Sequence, residues 1–125
     1  MRERDFRLIA LGMEGAVEGA HMGHPDSRVQ NRMFATLHQD RAFGGLALTP
    51  TQQERLLREH PDAFEPASGA WGRAGATTVR LASVAEEPLG EAMTLASQST
   101  IAKGPSRSAR NRSVATSRRS RKLSA

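Results

Sequence analysis

The sequence contains no cysteine, which excludes disulfides and thiolate metal sites. That composition suits a reducing compartment. Aromatic residues are scarce: Phe6, Phe34, Phe43, Phe64 and Trp71 are all there are. Any core must therefore rest on Leu, Met, Val and Ala. No apolar run approaches the roughly 20 residues of a membrane-spanning helix, so no membrane partner is expected. The first residues, MRERDFRLIALG, are charged and then amphipathic, without the apolar segment of a secretory signal. A bacterial type of cytoplasmic protein is the expectation. No nucleophile elbow of the G-x-S-x-G type occurs. There is also no glycine-rich phosphate loop ending in Lys-Ser or Lys-Thr. No catalytic residue is assigned, and a non-enzymatic chain without cofactor or metal is expected.

Acidic side chains are missing from one end only. Residues 1–102 hold 10 Lys+Arg against 13 Asp+Glu, a net charge of −3. Residues 103–125 hold 8 cations and no acid, which brings the whole chain to +5. The high isoelectric point thus belongs to the last stretch, KGPSRSARNRSVATSRRSRKLSA. Its only sizeable aliphatics are Val114 and Leu123. Such a stretch buries too little apolar area to repay the entropy of ordering, which predicts a disordered tail. The 125 residues then divide into a domain at 1–102 and a basic Ser/Arg tail at 103–125. A domain of this size buries roughly two thirds of its unfolded surface.

Periodicity within the domain predicts alternating elements. Phe6, Ile9, Ala10 and Met13 fall on one face of a first helix. SRV and RMFATLH flank Gln30-Asn31, which reads as a two-residue hairpin turn. Met33, Ala35 and Leu37 should face inward, with Arg32, Phe34 and Thr36 outward. GGLALT reads as a short strand with Leu46 and Leu48 inward. Thr49, Pro50 and Gln52 give an N-cap, a first-turn proline and a capping-box partner for a second helix. Gln53, Leu56, Leu57 and His60 share its face, and Pro61 stops it. TTVRLA is a last strand. A third helix carries Leu89, Ala92, Met93 and Ala96 inward and frays near Ile101. The order predicts an α+β fold with a small antiparallel sheet of four strands and three helices.

Four segments, EGAHMGHPDSRV, MFATL, LTPTQQERLLREHPDAF and GAWGRAGATTVRL, together resemble the MmcQ/YjbR family of small bacterial proteins. The likeness spans about Phe6 to Ala96. It implies a double-wing, frataxin-homologue-like fold and a DNA-binding role. The sequence departs from the family pattern where members often carry Lys in the third strand, here Ala47. It departs again where they carry aromatics, here Met22, Ser27 and Ala76. Those changes remove groups that could meet phosphate or stack on bases.

Several side chains are candidates for function. Arg28 and Arg32 flank the hairpin turn, Arg73 follows the tryptophan and Arg80 lies on a strand. A guanidinium offers a planar fork of donors to phosphate; the alternative is a solvated, partly paired surface. In the tail, Arg107, Arg110, Arg112, Arg118, Arg119, Arg121 and Lys122 would attract any polyanion. Such binding to DNA would be non-specific and salt-sensitive; the alternative is a solvated extension. Phe64 and Trp71 lie in the loop HPDAFEPASGAWGRAG. They are expected to fold back and plug the aromatic-poor core, the alternative being a stacking platform. His21 and His24 form an H-x-x-H pair but are read as turn residues, since a third ligand is not evident. The pairs Glu86-Glu87 and Asp62-Glu65 are read as solvated. The iron-holding acidic ridge of frataxins is disfavoured, because Glu3, Asp5 and Glu14 are interleaved with Arg2, Arg4 and Arg7. Two roles follow: a DNA-binding module using Arg-bearing wings and tail, or a small-molecule or protein interaction module with a pocket under the Trp71 loop.

Overall fold

A computed structural model describes residues 1–104 apart from Met22, Gln39, Arg41 and the side chain of His21. The expected tail, with Arg107, Arg110, Arg112, Arg118, Arg119, Arg121 and Lys122, lies outside the described residues. Helix α1 (Glu3–Leu11) leads into strands β1 (Val17–His21), β2 (His24–Val29), β3 (Arg32–Leu37) and β4 (Phe43–Ala47). Helix α2 (Pro50–Glu59), strand β5 (Phe64–Pro66), the short helix α3 (Gly69–Arg73), strand β6 (Ala76–Arg80) and helix α4 (Glu86–Ala102) complete the chain. The fold is α+β, with one antiparallel sheet in the order β1-β2-β3-β4-β6-β5. From β4 the chain crosses by α2 to the sheet edge, and β6 then inserts between β4 and β5. Among the described residues, no helix is long and apolar enough to cross a membrane.

Local chemistry accounts for most of these elements. Gln30 and Asn31 adopt φ of 51° and 63°, the doubly positive geometry that a two-residue hairpin turn needs. The capping box of α2 is present. Gln52 N–H donates to the Thr49 hydroxyl at 3.2 Å, and Thr49 N–H donates to Gln52 Oε1 at 3.0 Å. Glu86 and Glu87 sit in the first turn of α4, where carboxylates favour the helix dipole.

Helices α1, α2 and α4 cover one face of the sheet. Helix α4 lies across β3 and β4, α1 packs on β2 and against α4, and α2 borders β5 and β6. The core joins Phe6 and Ala10 of α1 to Leu37, Leu46, Val79 and Phe64 of the sheet, and to Leu89, Ala92, Met93 and Ala96 of α4. Phe6 sets the closest approach. A Cβ at Gly44 would stand 2.5 Å from two atoms of its ring, so the aromatic lies where a strand side chain would otherwise be. An ion pair from Arg55 to Glu91 and a hydrogen bond from Ser99 to Gln52 (3.1 Å) join α2 to α4.

The inward alternation expected of β3 holds only in part. Ala35 and Leu37 are buried, but Phe34 is buried too and Met33 is exposed. Ser27 pairs with Ala35 whereas Arg28 pairs with Met33, so Phe34 is an extra residue in the ladder. One inserted residue exchanges the faces for everything beyond it. Strands β1 and β5 and helix α3 add to the four strands and three helices expected from periodicity.

Replacing Gly44 by Ala should cost about 1–3 kcal/mol in urea unfolding, because the Phe6 ring must shift within a filled core. Gly90 offers the contrast, since a methyl there meets nothing within 4 Å. Gly90→Ala should raise stability by about 0.5–1 kcal/mol through helix propensity.

Candidate functional site on the open sheet face

The sheet face opposite α1, α2 and α4 carries the candidate site. Thr36 pairs with Gly45, and Gly45 with Thr78, so these three form a row across β3, β4 and β6 on that face. Ala47 pairs with Ala76 one step along. The result is a floor of small side chains. Met33, turned outward by the bulge, and Trp71 of α3 rise beside it, and His38 also lines the space. The groove encloses about 290 Å³. Among the described residues, no Asp, Glu, Lys or Arg lines it. The His38 ring lies 6.4 Å from that of Phe43, tilted by 36°.

Trp71 is not a core plug: it is 77 % exposed, whereas Phe64 is buried at 1 %. The backbone around it explains the difference. Gln53 of α2 is buried, and its Nε2 donates to the carbonyl oxygens of Gly72 at 2.9 Å and Ala76 at 3.0 Å. That pins α3 by its Gly72 side. At Gly72 a Cβ would fall 1.8 Å from the Ala67 oxygen, and at Gly75, with φ of 115°, one would fall 2.0 Å from the Leu48 oxygen. The chain is thus pressed against its neighbours where these glycines stand. A helix turns about 100° per residue, so Trp71 is carried off the pinned side. Phe64, Ala63 and Gln53 are buried on the helix side instead. Phe64 meets the His60 ring edge-on, with centroids 6.1 Å apart.

The four body arginines do not gather. Arg28 donates to both oxygens of Asp26, at 2.9 and 3.0 Å, and the Asp26 side chain is fully buried. The hydrogen bond to Asp26, and secondly its charge, make Arg28 hold its proton more tightly than an ordinary arginine. The pair crosses over Gly19, where a Cβ would come within 2.9 Å of the carboxylate. Arg80 donates to Glu65 at 2.7 Å and to the Asp62 carbonyl at 3.2 Å. Arg28 and Arg80 share the open face but stand on β2 and β6, three strand spacings or roughly 14 Å apart across the sheet, and lie toward opposite ends of it along the strands. Arg32 lies on the helix side, where its Nε donates to the Gly104 carbonyl at 2.9 Å, past the end of α4. Arg73 is exposed, with no polar partner among the described residues.

Of the remaining candidates, His24 and the Asp62-Glu65 pair have structural partners. The His24 ring reaches the Leu37 carbonyl at 3.2 Å through Nδ1. The His21 side chain lies outside the described residues. Among the described residues no group of three or more His, Asp or Glu could hold a metal ion. Glu65 is the partner of Arg80, so Asp62-Glu65 is a support for that arginine. The groove itself was indicated in sequence only through the pocket expected under the Trp71 loop. Met33 carried no such signal, because strict alternation placed it inward.

No protein-family model matches this chain, and no curated protein matches it. The chain is similar to a solved structure, the crystal structure of Deinococcus radiodurans protein DR2400, which carries a DUF419 domain. The two share 22 % identity over 87 % of this chain and 85 % of that one, with a TM-score of 0.67. That likeness establishes the fold.

Two substitutions separate the wall of the groove from its anchor. Gln53→Met leaves two carbonyls short of a donor and should lower stability by about 1–3 kcal/mol. It should also speed hydrogen exchange at the Ala67 and Gly75 amides. Trp71→Ala should change stability by no more than about 0.5 kcal/mol, as for any exposed residue. A loss of several kcal/mol would mean that the indole is buried.

Proposed function

We propose that this chain is a non-enzymatic binding module of the MmcQ/YjbR-like double-wing type, acting in a bacterial cytoplasm. Its folded part receives an apolar group in the groove on the open sheet face. One observation carries the reading: the groove combines two exposed large apolar side chains, Met33 and Trp71, with a floor of small residues and a lining that is uncharged among the described residues. Ligand sites are mostly apolar concavities with a few polar groups for orientation. The hydroxyl of Thr78 and the imidazole of His38 are such groups. The family assignment is supported by the four resembling segments together with the fold shared with the DUF419 protein.

A second reading concerns DNA, and residues 103–125 favour it with their +8 charge. In this reading nucleic-acid affinity resides in Arg107, Arg110, Arg112, Arg118, Arg119, Arg121 and Lys122. Arg28, Arg32 and Arg80 contribute little, because their donors already serve Asp26, Gly104 and Glu65. A phosphate would have to displace these partners, and in the case of Arg28 would strand a buried carboxylate. Arg73 is the one body arginine of the four whose fork is open among the described residues.

Fluorescence anisotropy with labelled duplex DNA tests this division. The full chain should bind with affinity that falls steeply with salt, by about 0.9 in log–log slope for each phosphate neutralised. Exchanging these seven of the eight tail cations for Gln should remove most of that affinity and leave the fold intact. Undiminished binding by the exchanged chain would return the role to the body arginines.

A further inference from the structure

We propose that the occupant of the groove is a neutral, planar small molecule of one or two fused rings, held face-on against Trp71. This deepens the groove reading above and rests on it. The floor favours a flat object. Gly45, Ala47 and Ala76 project nothing beyond a methyl, and Thr36 and Thr78 continue the same plane across three strands. The walls favour an aromatic one. Indole and thioether are the side chains best suited to π surfaces, through stacking and sulfur–aromatic contact. Trp71 is 77 % and Met33 44 % exposed, so both have surface to bury.

Size and charge narrow the class. About 290 Å³ stands at the lower limit for ligand sites, which suits a fragment-sized ring system. Among the described residues the lining holds no cation to meet a phosphate or carboxylate. The described cations on the same face, Arg28 and Arg80, are neutralised by Asp26 and Glu65. A nucleic-acid strand would need a cationic track beside its stacked bases. Arg73 alone does not make one. The two hydrogen bonds from Gln53 hold the backbone of α3 in place beside the groove. The ligand is therefore a free neutral ring compound.

A matched pair of probes tests this on the full chain: 2-naphthamide and decahydro-2-naphthamide, which share an amide and a carbon skeleton but differ in planarity. Binding is followed by protein-observed NMR at the Thr36, Gly45 and Thr78 amides and the Trp71 indole N–H. The planar probe should shift these signals and bind at least about tenfold more tightly than the saturated one. Trp71→Ala should weaken it by about tenfold or more. Trp71 is exposed, so that variant keeps its fold, and the unshifted amide spectrum verifies it. Ala76→Leu, which fills the floor, should abolish binding. Equal affinity for both probes would overturn the planar-ring inference and leave the groove reading standing. No binding of either probe would overturn both. Shifts at the same residues with oligo-dT but not with 2-naphthamide would make the occupant a nucleic-acid base and overturn the inference.

Discussion

Gln53 donates both hydrogens of one buried amide to the carbonyls of Gly72 and Ala76, and the open face takes its form from that contact. Helix α2 is anchored by its capping box and by the ion pair from Arg55 to Glu91. Through Gln53 this rigid element holds a five-residue helix that could not persist alone. The indole is consequently fixed outside the core. A buried amide is an effective anchor because losing it leaves carbonyls unsatisfied in a place water does not reach. The apolar wall of the groove thus depends on a polar contact on its far side.

The same one-sided construction governs electrostatics. Three helices bury one face, and the other must stay compatible with water. It does so partly with Thr36 and Thr78 and partly with ion pairs. Arg28 and Asp26 fold over Gly19, while Arg80 and Glu65 brace β6 against β5. These pairs leave the face close to neutral. The surplus positive charge of the chain resides in residues 103–125. A mildly acidic body with a near-neutral open face and a strongly basic end divide the two kinds of recognition that one chain could offer.

Much of this was legible in the sequence where the signal is local. Thr49, Pro50 and Gln52 announce α2 because capping is settled within four residues. Gln30-Asn31 announces the hairpin because few pairs tolerate two positive φ values. Phe6 and Ala10, like Leu89, Ala92, Met93 and Ala96, follow the helical period and are buried. The failures are non-local. Strand β1 was hidden by Gly19, which reads as a breaker but makes room for an ion pair on the neighbouring strand. Met33 and Phe34 exchanged faces through a bulge that only the partner strand reveals. Trp71 was expected inside because the chain has so few aromatics. Gln53, eighteen residues earlier in the chain, decides otherwise, and no periodicity connects the two. The groove was legible as a pocket beside the tryptophan loop, but its other wall was not.

Collisional quenching of indole emission by acrylamide reports where the Trp71 side chain stands. The chain has one Trp and no Tyr, so the signal comes from Trp71 alone. An indole held outward beside an open groove should be quenched in the native full chain nearly as readily as in the same chain unfolded in urea, with emission as red as that of indole in water. Strong protection with blue-shifted emission would place Trp71 in the core and leave the groove without its indole wall.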